Sequence, residues 1–348
     1  YRVKAVGLYQ YLPIENAQSL VDIEMDCRQP TGKDLLVNVR AISVNPVDTK
    51  VRAPKSDTET TPRILGWDAA GEVTAIGPGV EGYAVGDQVF YAGDITRSGS
   101  NSEYQLVDER IAGRMPTRLD YAAAAALPLT SITAWEGLFD RLGISLHGDN
   151  EGKSILIIGG AGGVGSIAIQ LASKVAKLNV IATASREESL AWCLKLGANK
   201  VINHRNSLME ELTAQSIDTV DYIFCLNNTD QHWNAMAQAI APQGHICSIV
   251  ETEDPVNLGA LKNKSATFVW ELMFTRSMYQ TADMIEQQRL LNGIADLVDN
   301  GELVTTVNQI IRPISAENLR QAHALIEQGR SIGKVVLADW EFQPSTKS

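Results

Sequence analysis

Little in this chain is basic, little is cysteine, and nothing in it is a long apolar run. Thirty Lys and Arg stand against 41 Asp and Glu in 348 residues, a net charge of −11. That balance repels phosphate backbones and anionic lipid surfaces, so neither nucleic acid nor a membrane is an expected partner. The four cysteines, Cys27, Cys193, Cys225 and Cys247, are scattered without a C-x-x-C pair or a dense framework, and reduced, mostly buried thiols are expected. The longest apolar runs, around Ala122 to Leu127 and Ile155 to Ile158, fall far short of the about 20 residues that a membrane span needs. No basic-then-apolar leader and no solenoid repeat is evident. The cytoplasm is the expected compartment, although numbering from Tyr1 leaves a removed leader open. What the chain does have is apolar material, 45% of its residues, enough for two cores.

The first third reads as irregular β structure, with short runs at Leu35 to Val44, Ala70 to Ile76 and Asp87 to Tyr91 separated by Gly and Pro clusters. Ala53 to Pro62 and Gly93 to Ser102 read as exposed loops. From Ile155 the texture becomes an alternation of strand and helix. The predicted strands are Ile155 to Ile158, Val180 to Thr183, Val201 to Asn203, Val220 to Leu226 and His245 to Val250, with Ala266 to Phe274 as a candidate sixth. Such alternation predicts a parallel sheet covered by helices on both faces. A long helix is expected over Asp283 to Leu297, and a last helix and strand within Ile310 to Val336 that return to the first domain.

Between the first strand and first helix of this second region stands Gly159-Gly160-Ala161-Gly162-Gly163-Val164-Gly165, which contains G-x-G-x-x-G at Gly160, Gly162 and Gly165. The first glycine makes the tight turn, the second admits a pyrophosphate to the backbone, and the third lets helix pack on strand. Set between an apolar strand and an amphipathic helix, the pattern points to dinucleotide binding over a plain tight turn. An acidic residue at the end of the second strand would take the ribose hydroxyls of NAD. Here that strand runs into Ser185 and Arg186, a hydroxyl and a guanidinium suited to a 2′-phosphate. NADPH is therefore the expected cofactor; the alternative is that Arg186 is a solvated first-turn residue paired with Glu187 or Glu188.

With that loop placed, Asn45-Pro46-Val47-Asp48-x-Lys50-x-Arg52 and Gly66-Trp67-Asp68-x-x-Gly71-Glu72-Val73 resemble the paired motifs of the medium-chain dehydrogenase/reductase superfamily. Leu127-Pro128-Leu129-Thr130, the glycine loop, and Leu196-Gly197-Ala198 before Val201-Ile202-Asn203 bring the resemblance nearest to the zinc-independent quinone oxidoreductase branch, whose members often carry zinc-type alcohol dehydrogenase-like names. The resemblance spans essentially the whole chain. It implies an α/β protein: a doubly wound Rossmann sheet of strand order 3-2-1-4-5-6 over residues 128–302, a GroES-like irregular β-barrel domain over 1–127 and 303–348, and a cleft between them.

The resemblance also sets Asn45 where the family's first zinc cysteine stands, and Trp67 where the histidine of its G-H-E motif stands. Both substitutions remove ligands, the segment Gly93 to Tyr104 has no cysteine, and none of the five histidines lies beside a second candidate ligand. No zinc is expected. Without a Lewis acid to hold an alkoxide, hydride addition to a quinone or an α,β-unsaturated carbonyl is the expected direction, because the conjugated carbonyl takes the charge. Asn45, by family position near the nicotinamide, is the first candidate to orient cofactor or carbonyl; holding the turn before Pro46 is its other role. Asp48 and Asp68 read as buried, hydrogen-bonded structural carboxylates. Thr130 and Thr133 are candidates to touch the cofactor or cap a helix. Arg330 and Lys334 stand where relatives bring a basic residue back towards the cofactor, and Asn227 and Val250 are expected cleft walls. Pairing through the edge around residues 266–274 implies a homodimer. An enoyl-thioester reductase, or a low-turnover NADPH-binding sensor or structural protein, would share most of these features.

Overall fold

A computed structural model describes residues 1–341, and the part of the expected 303–348 segment beyond 341 lies outside the described residues. The chain divides into two compact units, one of residues 1–129 together with those from 274 on, the other of residues 130–273. No helix among the described residues is long and apolar enough to cross a membrane.

The first unit begins with β1 (Arg2–Gln10) and β2 (Val21–Asp26), an antiparallel pair, followed by β3 (Asp34–Ser43) and the short helix α1 (Pro46–Arg52). Asn45 precedes Pro46, whose fixed φ suits a first helical turn. Next comes β4 (Thr58–Ile64), which overturns the expected loop at Ala53 to Pro62. It pairs with β1, with Leu8 opposite Arg63 and Gln10 opposite Thr58. Its mostly polar, part-exposed side chains offer no apolar alternation to read, but Thr58, Thr60 and Thr61 suit an edge strand. The rest of the first stretch is β5 (Ala69–Ile76), β6 (Gln88–Tyr91), β7 (Tyr104–Asp108), β8 (Ala112–Arg114) and α2 (Tyr121–Ala125). Strand β3 is the spine: it pairs antiparallel with β5 over its length and with β7 through residues 34–38. A Cβ at Gly71 would lie 2.2 Å from the Asn38 carbonyl oxygen, so only glycine admits this close crossing of β3 and β5.

Helix α3 (Pro128–Trp135) leads into the second unit, whose strands are β9 (Ser154–Ile158), β10 (Asn179–Thr183), β11 (Lys200–Ile202), β12 (Val220–Cys225), β13 (Ile240–Ser248) and β14 (Thr267–Trp270). Between them lie α4 (Gly163–Gln170), α5 (Glu187–Leu196), α6 (Leu208–Ala214) and α7 (Thr229–Ala239). The six strands run parallel in the order β11-β10-β9-β12-β13-β14, which is the expected 3-2-1-4-5-6. The sixth strand is only Thr267–Trp270, shorter than the Ala266 to Phe274 read from the sequence. Leu156, Ile158, Ile181, Ile223 and Ile246 carry one face of the sheet into a core closed by Leu208 and Leu212 of α6 and by Trp233 and Met236 of α7.

The chain then returns to the first unit through α8 (Thr275–Tyr279), α9 (Ile285–Asp299), β15 (Val307–Ile311), α10 (Ala316–Glu327) and β16 (Lys334–Ala338). This corrects the expected domain limit of 302: residues 274–302 belong with the first unit. Helix α9 packs on β8, where a Cβ at Gly113 would meet Leu291 Cβ at 2.5 Å, so the glycine lets the helix down onto the strand. Strand β16, buried throughout, pairs antiparallel with the far end of β3, Leu337 opposite Ile42.

Candidate functional site

In the second unit, β9 ends at Ile158 and the glycine loop turns into α4. Gly159 has φ +90°, a left-handed conformation that favours glycine, and its N–H donates to Thr183 Oγ1 at 2.9 Å, while Gly160 N–H donates to the Thr183 carbonyl at 2.9 Å. The loop is thus pinned to the end of β10. A Cβ at Gly160 would lie 2.9 Å from Ala182 Cβ, and one at Gly165 would lie 2.4 Å from the Gly159 carbonyl oxygen. Both positions are closed by the protein itself. Gly162 differs: the nearest atom to a Cβ there is the Gly159 oxygen at 3.8 Å, so the loop leaves open space at the middle glycine. Ser166 Oγ donates to the Gly162 carbonyl at 2.6 Å and accepts from Trp192 Nε1 at 2.9 Å, which fixes the first turn of α4 against α5. The first N–H groups of a helix have no partner within it, and those of Gly163, Val164 and Gly165, with the adjoining Ala161 and Gly162, form a cradle for an anion. The residues present therefore fit a dinucleotide pyrophosphate.

Ser185 and Arg186 follow β10, both half-buried, and Arg186 N–H donates to Ser189 Oγ at 3.1 Å at the start of α5. Sequence reasoning missed His204 just past β11, whose Nδ1 lies 2.9 Å from Thr183 Oγ1, the same hydroxyl that holds Gly159. Because β10 and β11 are neighbours, their ends bring Thr183 and His204 together; the sheet order, once inferred, is the signal that could have found it. Burial and the Arg205 guanidinium lower the His204 pKa, and burial and His204 lower that of His232. Asn227 is exposed beyond β12, its Cβ 3.6 Å from where a Cβ on Gly159 would sit. Val250 is half-buried and its carbonyl accepts from Thr229 Oγ1, which also bonds Ser248 Oγ. Thr130 and Thr133 are buried on α3.

The same unit holds a buried carboxylate pair. Burial and the neighbouring Glu136 carboxyl push Glu271 well above the usual carboxylate range, against the pull of Arg141, whose Nε donates to Glu271 Oε1 at 3.2 Å. Cys193, Cys225 and Cys247 are buried, and burial raises each thiol, that of Cys193 to about 12.

In the first unit, Asn45, Asp68 and Lys334 form one buried network, each no more than 3% exposed. Lys334 Nζ donates to the Val44 carbonyl at 3.1 Å, to Asp68 Oδ2 at 3.2 Å and to Asn45 Oδ1. Asn45 Nδ2 donates to Asp68 Oδ2 at 2.8 Å, Ser43 Oγ donates to that oxygen at 2.7 Å, and Leu129 N–H donates to Oδ1 at 2.7 Å. Asp68 is pushed up by burial and held down by Lys334 and its hydrogen bonds. Asp48 Oδ2 accepts from Asn45 N–H at 2.8 Å, and burial, opposed by that bond and by Lys334, raises its carboxyl to about 7. The expectation that Lys334 points to a cofactor changes accordingly: its three ammonium protons are directed inward, onto Asn45, Asp68 and a backbone carbonyl. Arg330 instead lies exposed after α10. Trp67 is buried, edge-on to Phe274 at 6.2 Å.

A zinc ion does not fit this donor set. Trp67 presents an indole N–H, which cannot be a ligand, the Asn45 oxygen already accepts from an ammonium, and among the described residues no three His, Cys, Asp or Glu are grouped to hold a metal.

The chain matches the alcohol dehydrogenase GroES-like domain over residues 31–117 and the zinc-binding dehydrogenase family over residues 196–337. It is 46% identical to a zinc-type alcohol dehydrogenase-like protein of Staphylococcus aureus, over 96% of this chain and 99% of that one. A crystal structure from Rhizobium etli, provisionally described as a zinc-dependent alcohol dehydrogenase protein, superposes with a TM-score of 0.94 at 48% identity, covering 98% and 99% of the two chains. The quinone oxidoreductase from Coxiella burnetii superposes with a TM-score of 0.80 at 26% identity, covering 98% and 100%. Fold and comparisons together define an oxidoreductase built on a Rossmann unit and a GroES-like unit. The chain belongs to the medium-chain dehydrogenase/reductase superfamily, in its quinone-oxidoreductase-like branch.

Proposed function

We propose that the protein is an NADPH-dependent reductase of quinones or α,β-unsaturated carbonyls that works without zinc. The observation that carries this reading is the buried Asn45–Asp68–Lys334 network, which puts an ammonium and a carboxamide where a metal would need free ligands. NADPH, when bound, supplies the hydride. In the second unit, the cradle at Gly162 takes the pyrophosphate, and Ser185 and Arg186, at the end of β10, take the 2′-phosphate through a hydroxyl and a guanidinium. By the family resemblance Asn45 is the candidate to stabilise the oxygen on which negative charge develops, a role that grows from substrate to transition state and so speeds the step. The Coxiella relative is itself a quinone oxidoreductase, which supports the substrate class.

The test is oxidation of NADPH and of NADH, followed by absorbance, against a panel of quinones, enones and alcohols with and without a chelator. Turnover with NADPH that survives chelation is expected. Activity confined to alcohols and lost on chelation would overturn the reading, and binding of both cofactors without turnover would favour the low-turnover sensor. We also propose a homodimer through β14, because this edge strand is flanked by exposed Trp270, Leu272 and Leu258. A monomer mass in sedimentation at micromolar concentration would refute that.

A further inference from the structure

The peptide between Gly162 and Gly163 is planar and trans, so its C=O and N–H point in opposite directions. Two donors of one residue hold the Gly162 carbonyl: Ser166 N–H at 3.0 Å, the first bond of α4, and Ser166 Oγ at 2.6 Å. The carbonyl is thereby fixed along the helix, and the Gly163 N–H is aimed out of the N-terminal end of α4. That end is open: residues 161–164 are half-buried where 165–170 are buried, and the nearest atom to a Cβ on Gly162 is 3.8 Å away.

A serine hydroxyl has one proton to give. Trp192 Nε1, which can only donate, fills an acceptor position on Ser166 Oγ at 2.9 Å, and the hydroxyl proton goes to the Gly162 oxygen. Ser166 is wholly buried, and Trp192 is half-buried in the middle of α5. Indole N–H, hydroxyl and carbonyl thus form a chain, and bonds in such a chain polarise one another in a low-dielectric interior. The indole at one end makes the Gly163 N–H at the other a stronger donor. Conversely, an anion accepting from Gly163 strengthens the bond at the indole.

We propose that Trp192 is a positioning residue for the cofactor's pyrophosphate, acting through Ser166 to aim and strengthen the Gly163 N–H at the cradle. The inference rests on the proposed dinucleotide cofactor and deepens it, and every residue it uses lies within 130–273. Because the pyrophosphate is common to NADH and NADPH, Trp192 contributes equally to both. Arg186, at the start of the same helix, bears on the 2′-phosphate alone.

The experiment titrates NADPH and NADH, followed by nicotinamide emission, into the wild-type chain, Trp192→Phe, Ser166→Ala and the double variant. Phenylalanine keeps an aromatic ring on α5 without the N–H, and Ser166 Oγ keeps its own bond to Gly162, so no buried donor is orphaned. Expected are a weakening of about fivefold for Trp192→Phe, the same for both cofactors, and of about tenfold for Ser166→Ala. The double variant should bind no more weakly than Ser166→Ala. Unchanged affinities, with or without a lower melting temperature, would show that Trp192 only packs α5 on α4 and would overturn the proposal. A loss confined to NADPH would do the same, since Trp192 would then act by placing Arg186, and so would losses that multiply in the double variant. A second arm needs no variant: the indole N–H signals of 15N-labelled wild-type protein are followed as inorganic pyrophosphate, which has no ring to disturb them, is added. The Trp192 signal, identified by its nuclear Overhauser contact with Ser166, should move downfield, and a signal that stays in place refutes the relay. Should the wild-type chain bind neither NADPH nor NADH, the cofactor reading fails, while the pyrophosphate titration still decides whether Trp192 is linked to the cradle.

Discussion

Two alanine substitutions in one loop should separate cofactor binding from folding. At Gly162 the backbone has φ −73° and ψ −175°, which alanine adopts freely, and the nearest atom to an added Cβ is 3.8 Å away. The smaller conformational freedom of alanine in the unfolded chain stabilises by about 0.4–1 kcal/mol, and the poorer helix cap offsets a similar amount. The melting temperature should therefore move by no more than about 4 °C. The methyl group, however, stands in the space that the anion needs. Losing two charge-assisted hydrogen bonds to phosphate, about 1.5–3 kcal/mol each, weakens NADPH binding by about a hundredfold or more. At Gly165 the same methyl would lie 2.4 and 2.5 Å from the Gly159 and Gly160 carbonyl oxygens, which are backbone atoms that cannot rotate away. Gly165→Ala should lose both binding and several degrees of melting temperature, as overpacked sites cost about 1–3 kcal/mol. Fluorescence titration with NADPH and a thermal melt read the two effects. NADPH bound by Gly162→Ala within about threefold of wild type, or a melt as low as that of Gly165→Ala, would refute the cradle.

Arg186→Ala should weaken NADPH by about 10–100-fold and leave NADH unchanged, since a guanidinium on phosphate contributes about 1.5–3 kcal/mol; equal losses for the two cofactors would show that Arg186 only shapes α5. Asp48 bears on pH: burial raises its carboxyl to about 7, so between the unfolded value and that point the folded chain holds a proton that the unfolded chain has released. Its contribution to stability thus declines as pH rises, by about 3 kcal/mol between pH 5 and 7.5. Asp48→Asn should remove that decline, and urea midpoints of variant and wild type that keep a constant separation across this range would rule it out. His323 works in the opposite sense, because burial and Arg52 lower its pKa to about 3 and the folded state gains as pH rises from there to about 6.5. Replacing His323 with Gln should flatten the acid side of the denaturation profile. Elemental analysis of the purified chain should find far less than one zinc per molecule, and one zinc each would contradict the donor chemistry at Asn45 and Trp67.

The parallel sheet is legible because glycine loop, apolar strands and amphipathic helices alternate without interruption from Ile155 to Ser248. What cannot be read is partnership over distance. The apolar stripe of α9, with Leu290, Leu291, Ile294 and Val298, announces a helix with one buried face, but only Gly113, far back in the chain, shows which surface receives it. Lys334 looks in sequence like any solvated cation, because the carboxylate that holds it is 266 residues away. His204 is hidden for a similar reason: its partner Thr183 sits on the neighbouring strand, and the hydroxyl that joins them reads as an ordinary strand threonine. Edge strand β4 is obscured by chemistry of another kind, since its pairing with β1 is made by backbone groups and its side chains are largely polar.

The split of the first unit sets an order on the biosynthesis of this chain. A ribosome delivers β3, Asn45 and Asp68 early, then the whole of residues 130–273, and only afterwards the strand that carries Lys334. Rossmann strands and helices are all outside the exit tunnel while the β3 edge at residues 41–43 still waits for residues 336–338. Domains tend to fold as they emerge, so the unit of residues 130–273 has the first opportunity, although it comes second in sequence. Until the last strand arrives, Asp68 has no counter-ion and must stay hydrated. Nascent chains truncated before Lys334 should therefore resist protease within 130–273 while the earlier β strands remain open to cleavage.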